Sequence, residues 1–465
     1  MMLKKTNELI IWIEQTQVAT LEVNDIGQFS LRYEPAWASS PKGYPISPSL
    51  PLAGSEDSAE IHSAKVRFFF SNLLPEGKSL DEAVLANGLS KSNIFGLLHA
   101  LGQESAGALM LLAPGLNPEA ITSHRDMREI SNEELSERIR AMPNIPFSVW
   151  DGKVRMSIAG YQSKLAVHKT HDGRLWLTDG RNASTHILKP QTGGLNECQV
   201  ANEYFCMRLA AMAGIESAEV DILRVPEPIL VVTRFDRQVF NGNTRRLHII
   251  DACQALNKSP EQKYERNFGS GEHVRHIRDG VSVKDLFSIT DLATNKADMS
   301  LRQLRWLMFQ HLIGNSDAHG KNMSFYVSRD GLKMAPAYDQ LSVLAYPTIN
   351  HEFAMAIGDE FTEEAMHAYQ WADFVIQVKL SPSLVARTIK NVASKVNNAL
   401  PMLLEDPLLT ELEKKFLKKL ADQIQVRIGK FLEISKILPH IAGDILREVN
   451  DKKGEVIRGN SRQDG

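Results

Sequence analysis

Acid, amide, imidazole and ammonium side chains crowd one short stretch of this chain, Asn315 to Asn322, which reads NSDAHGKN. Asp317 and Asn322 stand at the two ends of an Asp-x4-Asn spacing, and a further carboxylate, Asp339, follows downstream. This set suits phosphoryl transfer. Moving a γ-phosphoryl group demands little covalent work from a protein, so positioning and charge neutralisation dominate. An aspartate can orient the attacking hydroxyl and accept its proton, while Asn and Asp oxygens suit Mg2+, a hard cation. Asp-x4-Asn followed by another Asp is also the order of a protein-kinase catalytic loop and its second metal-binding aspartate. Lys321 can neutralise charge on the transferring group, and His319, beside Gly320, can support the loop or the phosphates.

Rigid supports must hold such a loop. An apolar-periodic helix (Leu301, Leu304, Trp306, Leu307, Phe309) leads into it and breaks at Gly314. An apolar strand, MSFYV, follows the loop; a turn at Ser328–Gly331 and a second strand, LKMA, then lead to Asp339. The sequence thus predicts a helix, a polar loop and a tight hairpin in succession.

What a nucleotide needs lies upstream. Val154–Val167 has two β-like flanks around a hairpin-type turn made of Ala159, Gly160, Tyr161, Gln162, Ser163 and Lys164. Backbone N–H groups in such a turn can hold phosphate oxygens. The turn lacks the Gly-x4-Gly-Lys-Ser/Thr pattern and is poorer in glycine than a protein-kinase loop. HILK, His186–Lys189, reads as a strand ending in lysine. Gln199–Ala213 reads as an amphipathic helix closed by Gly214, and its Glu203 can pair with Lys189 as a kinase strand lysine pairs with a helix glutamate. Pro228–Phe235 is an apolar strand placed where an adenine-binding hinge belongs, with backbone groups of Thr233, Arg234 and Phe235 expected to meet the base. A second triplet, His124-Arg125-Asp126, has no Asn at the right distance and no strand pair around it; Ser131 and Glu134 look instead like a capping box opening a helix.

Composition bounds the rest. At 465 residues the chain should hold two to four domains, and 43% hydrophobic with 23% charged residues is the mix of a soluble protein. A net charge of −3 argues against a polycationic nucleic-acid binder. Cys198, Cys206 and Cys253 lack metal-ligand spacing and fit a reducing cytosol. LIIWI near the N-terminus is cut short by Glu14, and no apolar run is long enough to span a bilayer, so a cytoplasmic protein is expected. Leu9–Ile13, Val18–Val23 and Phe29–Tyr33 suggest an antiparallel meander or small barrel, and 35–59 a loop. VRFFFSNLLPEG reads as a helix or a strand with a sharp stop, followed by helices at Leu80–Leu89 and Ser92–Leu101 and a strand at Ala106–Leu112.

The series SIAGYQSK, HILKP, NEYFC, VTRFDR, IGNSDAHGKN and APAYD, in this order, resembles the HipA family of serine/threonine kinases, the toxins of bacterial HipBA toxin–antitoxin modules. SNLLPEG resembles that family's N-terminal domain. The resemblance, from about residue 9 to 440, implies an α+β, two-lobed, eccentric protein-kinase-like fold with a β-rich N-terminal part and an all-helical C-terminal lobe. The corresponding division is an N-terminal subdomain over 1–110, a kinase N-lobe over 111–260, a C-lobe over 261–440 and a tail over 441–465. It makes Asp317 the catalytic base, Asn322 and Asp339 the Mg2+ ligands, Lys189 the ATP-phosphate lysine, Ala159–Lys164 the phosphate loop and Ser157 an autophosphorylated serine. YQS departs from the family's more usual AQ-acid-Lys version of that loop. A phosphate on Ser157 would repel ATP phosphates and switch the kinase off. Family members phosphorylate aminoacyl-tRNA synthetases, which stalls translation and produces persister cells. They also bind a small DNA-binding antitoxin, HipB-like here, that represses the operon. A phosphotransferase for a small molecule or lipid headgroup also fits the residues, and a pseudokinase corepressor fits them less well.

Lys263–Arg275, KYERNFGSGEHVR, is a polar segment whose start resembles the family's activation-loop-like segment; a substrate-holding role and a plain connector are both open. Beyond Glu360 the apolar period is helical: Leu409, Leu412, Phe416, Leu420, Ile424, Ile428 and Phe431 form one core-facing stripe. Asn450–Gly465 is polar and expected to fray.

Overall fold

In the computed structural model, which describes residues 7–54, 56–119, 128–142, 144–151, 153–154, 162–178, 183–192, 197–240 and 243–460, the first strands follow their own alternation. Glu8–Ile13, Thr16–Val23 and Phe29–Tyr33 pair as an antiparallel meander, and Leu109–Leu112 joins the free side of the first strand. Leu9 faces Leu21 across the ladder, both fully buried. The result is an open four-stranded sheet, so of the two sequence alternatives the meander holds and the barrel does not. VRFFFSNLLPEG resolves as the end of a helix, Ala59–Ser71. The Ser58 hydroxyl accepts from the Ile61 N–H at its start, and Val66, Phe69 and Phe70 turn inward. Helices Gly77–Asn87 and Ile94–Leu101 follow.

A six-stranded antiparallel sheet forms the middle layer. Its order is Val220–Arg224, Pro228–Thr233, His186–Pro190, Leu165–Lys169, Leu175–Leu177, Arg128–Ile130. Of the expected hairpin around residues 159–164, residues 155–161 lie outside the described residues. Lys153–Val154 pairs locally with Val149–Trp150, whereas Leu165–Lys169 pairs with the strands at 175–177 and 186–190. Ser131 caps the helix Asn132–Ala141 by accepting from the Glu134 N–H; residues 124–126 lie outside the described residues. The helix Gln199–Met212 packs on this sheet and, on its other side, against the helix Pro382–Leu404. Sandwiched in this way it buries residues all round, Asn202, Glu203 and Phe205 alike, rather than along one amphipathic face.

The C-terminal part is built from the helices Lys296–Ile313, Ala368–Gln377, Pro382–Leu404 and Glu411–Asn460. It is not all-helical. The predicted hairpin is there, Ser324–Ser328 with Gly331–Met334, and Ile249–Asp251 extends it to three strands. Leu420, Ile424, Ile428 and Phe431 of the expected stripe are buried, but Leu412 is 62% exposed. It falls in the first turn of its helix, and Leu417 and Ala421 fill the core instead. That helix runs to Asn460, past the point where fraying was expected; 461–465 lie outside the described residues. Among the described residues no helix is long and apolar enough to cross a membrane.

Candidate active site

Where the six-stranded sheet meets the segment after the Ser324–Met334 hairpin, three charged side chains converge. Lys189, from the strand His186–Pro190, donates to the Glu203 carboxylate at 2.6 Å and to the Asp339 carboxylate. Burial opposes the charge on Lys189, yet the Asp339 and Glu203 carboxylates outweigh it and hold the ammonium above its ordinary range. Burial pushes Glu203 up, against the pull of Lys189. Burial also works against Asp339, but the ammonium groups of Lys189 and Lys164 prevail and keep it below the usual carboxylate range. Asp339 is held at φ 51, a left-handed conformation that non-glycine residues adopt at some cost and that clusters at functional sites.

The loop 315–322 starts where the helix Lys296–Ile313 is stopped by Gly314, whose φ of 63 ends the helix in a left-handed cap. A Cβ there would lie 2.6 Å from the Leu344 side chain. Asn315 then organises the turn: its Oδ1 accepts from the Asp317 N–H at 3.1 Å and its Nδ2 donates to Gln310 Oε1 at 2.9 Å. Asn322 Nδ2 closes the loop by donating to the Asp317 carbonyl at 3.1 Å, which leaves Oδ1 as the oxygen of that amide. The Asp317 carboxylate remains more than half exposed. His319 Nδ1 accepts from the Lys321 N–H, and burial pushes this imidazole down to about 4, so it is neutral near pH 7. It supports the loop as a hydrogen-bond acceptor, not as a cation.

Lys321 departs from its expected role. Its ammonium donates to Asp251 Oδ2 at 2.8 Å, Asn72 Oδ1 at 2.8 Å and the Asn72 carbonyl at 2.9 Å, with Glu76 at 3.7 Å. All three N–H donors are satisfied by the protein, so Lys321 holds the loop to the N-terminal SNLLPEG segment instead of standing free to neutralise a phosphoryl group. At the expected hinge, two of the backbone donors are already engaged. The N–H groups of Thr233 and Arg234 donate to the Glu219 and Thr185 carbonyls, so neither is open to a base. The Arg234 guanidinium is buried against Asp236, Glu104 and Ser184. Thr233, Arg234 and Phe235 nevertheless line the same cavity.

That cavity, about 410 Å³, is also walled by Lys164, Lys189, Asp251, His319, Asn322 and Asp339. A larger one, about 690 Å³, adjoins it and shares Lys164, Lys189, Tyr264, Asp317 and Asp339. Gln162 lines the larger cavity, Ser163 is half-buried, and burial pushes the Lys164 ammonium down to about 8. Ser157, Ala159, Gly160 and Tyr161 lie outside the described residues. Among the described residues no cluster of three or more His, Cys, Asp or Glu could hold a metal. Asn322 and Asp339 still fit Mg2+, which takes one or two protein oxygens and completes its shell with phosphates and water. Sequence reading missed three contributors. Tyr264 hydrogen-bonds the Asp317 carboxylate, and Asn72 and Glu76 reach the loop from the N-terminal sheet domain. SNLLPEG marked the last two as a motif, but no spacing ties residue 72 to residue 321.

A strand lysine paired with a helix glutamate, a loop aspartate and an amide–carboxylate pair facing one cavity define a kinase-like phosphotransferase. Residues 9–112 match the model of the HipA N-terminal domain and residues 156–400 that of the HipA-like C-terminal domain. The chain is 37% identical over 409 residues to the serine/threonine-protein kinase toxin HipA of Shewanella oneidensis, covering 87% of this chain and 91% of that protein. It is 33% identical over 435 residues to a protein named as a kinase in Sinorhizobium fredii, covering 92% and 99%. Among solved structures, the S. oneidensis complex of HipA, HipB and operator DNA superposes with a TM-score of 0.84 at 34% identity, over 93% of this chain and 99% of that one. The chain belongs to the HipA family, and it is a serine/threonine kinase of that type.

Proposed function

We propose that this protein is the kinase toxin of a toxin–antitoxin module, moving the ATP γ-phosphoryl group to a protein serine. The observation that carries the proposal is the Lys189–Glu203–Asp339 cluster, which lines the same cavity as Asp317. ATP occupies the smaller cavity, its base toward residues 233–235 and its phosphates toward Lys189 and Lys164. Asn322 and Asp339 hold Mg2+, which neutralises the phosphates when bound. Asp317, exposed and carrying no cation of its own loop, orients the acceptor hydroxyl and takes its proton. The nearby neutral His319 and the tethered Lys321 keep that loop in place without competing for the proton.

The acceptor is a protein serine, with an aminoacyl-tRNA synthetase as the family-type target, and phosphorylation of it inhibits translation and promotes persistence. Ser157 is a second acceptor, in cis. A small HipB-like antitoxin restrains the kinase and acts with it as corepressor on operator DNA, a proposal supported by the S. oneidensis complex. The setting is the cytoplasm. Purified protein with γ-labelled ATP and an extract of its own cells provides the test. Label on a protein band and on the chain supports the proposal, provided that Asp317→Asn abolishes both. Label confined to small molecules or lipid refutes it.

A further inference from the structure

What the Asp317 carboxylate holds in this structure is a phenol. The Tyr264 hydroxyl donates a hydrogen bond to it, and the Tyr264 ring stands edge-on to His319 with centroids 4.9 Å apart. Burial, reinforced by the Asp317 charge, pushes this phenol far above its usual range, so it stays a protonated donor. An O–H directed at this carboxylate is also what an acceptor alcohol must present. The larger cavity opens on the same carboxylate, away from the hinge residues, which line only the smaller one. Tyr264, Arg266, Asn267, Gly269 and Ser270 line it together with residues of the 341–361 segment, among which Ile349, Phe353 and Phe361 supply apolar surface.

We infer that the acceptor chain enters through the larger cavity, and that Tyr264 fills the seat of its hydroxyl until the acceptor displaces it. This rests on the kinase reading above and adds the acceptor's route and its plug. The backbone that carries Tyr264 is pinned. The Gly320 N–H donates to the Lys263 carbonyl at 3.0 Å, the Glu265 N–H to the Ala354 carbonyl at 3.0 Å, and the Lys263 ammonium to Glu76 at 2.6 Å. A Cβ on Gly280 would lie 1.7 Å from the Tyr264 carbonyl oxygen, so backbone packs directly on backbone there. Displacement is therefore a rotation of the side chain into the larger cavity, not an opening of the loop.

In the transfer step the acceptor O–H gives its proton to the Asp317 carboxylate as its oxygen bonds the γ-phosphorus. The bond from that phosphorus to the β–γ bridging oxygen breaks, and its electron pair leaves with ADP. A phenol already seated on Asp317 blocks the first half of this exchange. Water as acceptor gives phosphate and ADP by the same route and meets the same block.

Tyr264→Phe keeps the ring against His319 and removes only the O–H. The full-length parent, Tyr264→Phe and Asp317→Asn are compared for release of labelled phosphate from γ-labelled ATP and for binding of a fluorescent ATP analogue. Tyr264→Phe is expected to hydrolyse ATP at least about threefold faster than the parent, with nucleotide affinity within about twofold, while Asp317→Asn is silent. Hydrolysis by Tyr264→Phe at or below the parent's rate with nucleotide binding intact overturns the plug; a ring that only props the loop gives that result. Label appearing on Tyr264 itself overturns it too, since the phenol is then an acceptor. Nucleotide binding by none of the three proteins removes the kinase reading, and the plug falls with it.

Discussion

Lys321→Met should loosen the catalytic loop from its foundation. The Lys321 side chain is 5% exposed, and its ammonium serves Asp251, Asn72 twice and, at longer range, Glu76. Methionine keeps most of the stem and volume, so the loss is electrostatic. Removing one partner of a buried ion pair costs ~3–5 kcal/mol, because a charge is left uncompensated. Asp251 is not stripped entirely: its Oδ1 still accepts from the Gln254 N–H at 2.8 Å, as the cap of a short helix. Burial already pushes its pKa up, with Lys321 the main force opposing that. In the variant, Asp251 can therefore escape by taking a proton, which places the expected loss toward ~3 kcal/mol near neutral pH. The sign of the pH effect follows. The folded variant holds a proton that the unfolded chain lacks, so its stability falls as pH rises from the unfolded carboxylate range through the folded pKa, and the deficit against the parent grows over that pH range. Adding Asp251→Asn should return ~1–2 kcal/mol, since the two sites are directly coupled. Urea midpoints across that pH range, with kcat measured on the same preparations, read all of this. A variant as stable as the parent at every pH, yet slower by about a hundredfold or more in kcat, refutes the reasoning and returns Lys321 to the phosphoryl group.

Asp317→Asn should lower kcat by about 10²–10⁴-fold with nucleotide affinity little changed, because the group is exposed and contributes little to the core; single-turnover transfer measures it. Lys189→Met leaves Glu203 and Asp339 facing one another without their shared cation, so KM for ATP should rise by about tenfold or more, read by initial rates against ATP concentration. Acid should destabilise the fold through His248 and His311, whose buried imidazoles are pushed down to about 4 and about 3 by burial. Unfolded imidazoles protonate near 6.5, so below that pH the unfolded chain binds more protons and stability falls, reaching a His248 loss of ~3 kcal/mol by pH 4 from a 2.5-unit difference at ~1.36 kcal/mol each. Imidazole NMR signals from either residue titrating above pH 6 contradict this.

Local pattern carried far at the catalytic loop. Gly314 as helix stop, the polar loop and the Ser328–Gly331 turn each depend on neighbours in sequence, and each sits where its residues predict. Lys189 on a strand and Glu203 on the next helix were legible for the same reason, although their pairing is a tertiary fact. What the residues could not say by themselves is who fills each donor and acceptor. The N–H groups of Thr233 and Arg234 are spent because Glu219 and Thr185 come alongside them. Lys321 is a strut because Asn72, nearly 250 positions earlier, arrives with a carbonyl and an amide oxygen at 2.9 and 2.8 Å. Tyr264 became relevant only once its segment was folded over Asp317. Side-chain type, turn chemistry and periodicity are short-range properties of a chain, and they specified the elements and the class of chemistry. The state of each charged group depends on burial and on partners brought from remote segments, and only the packed molecule fixes those.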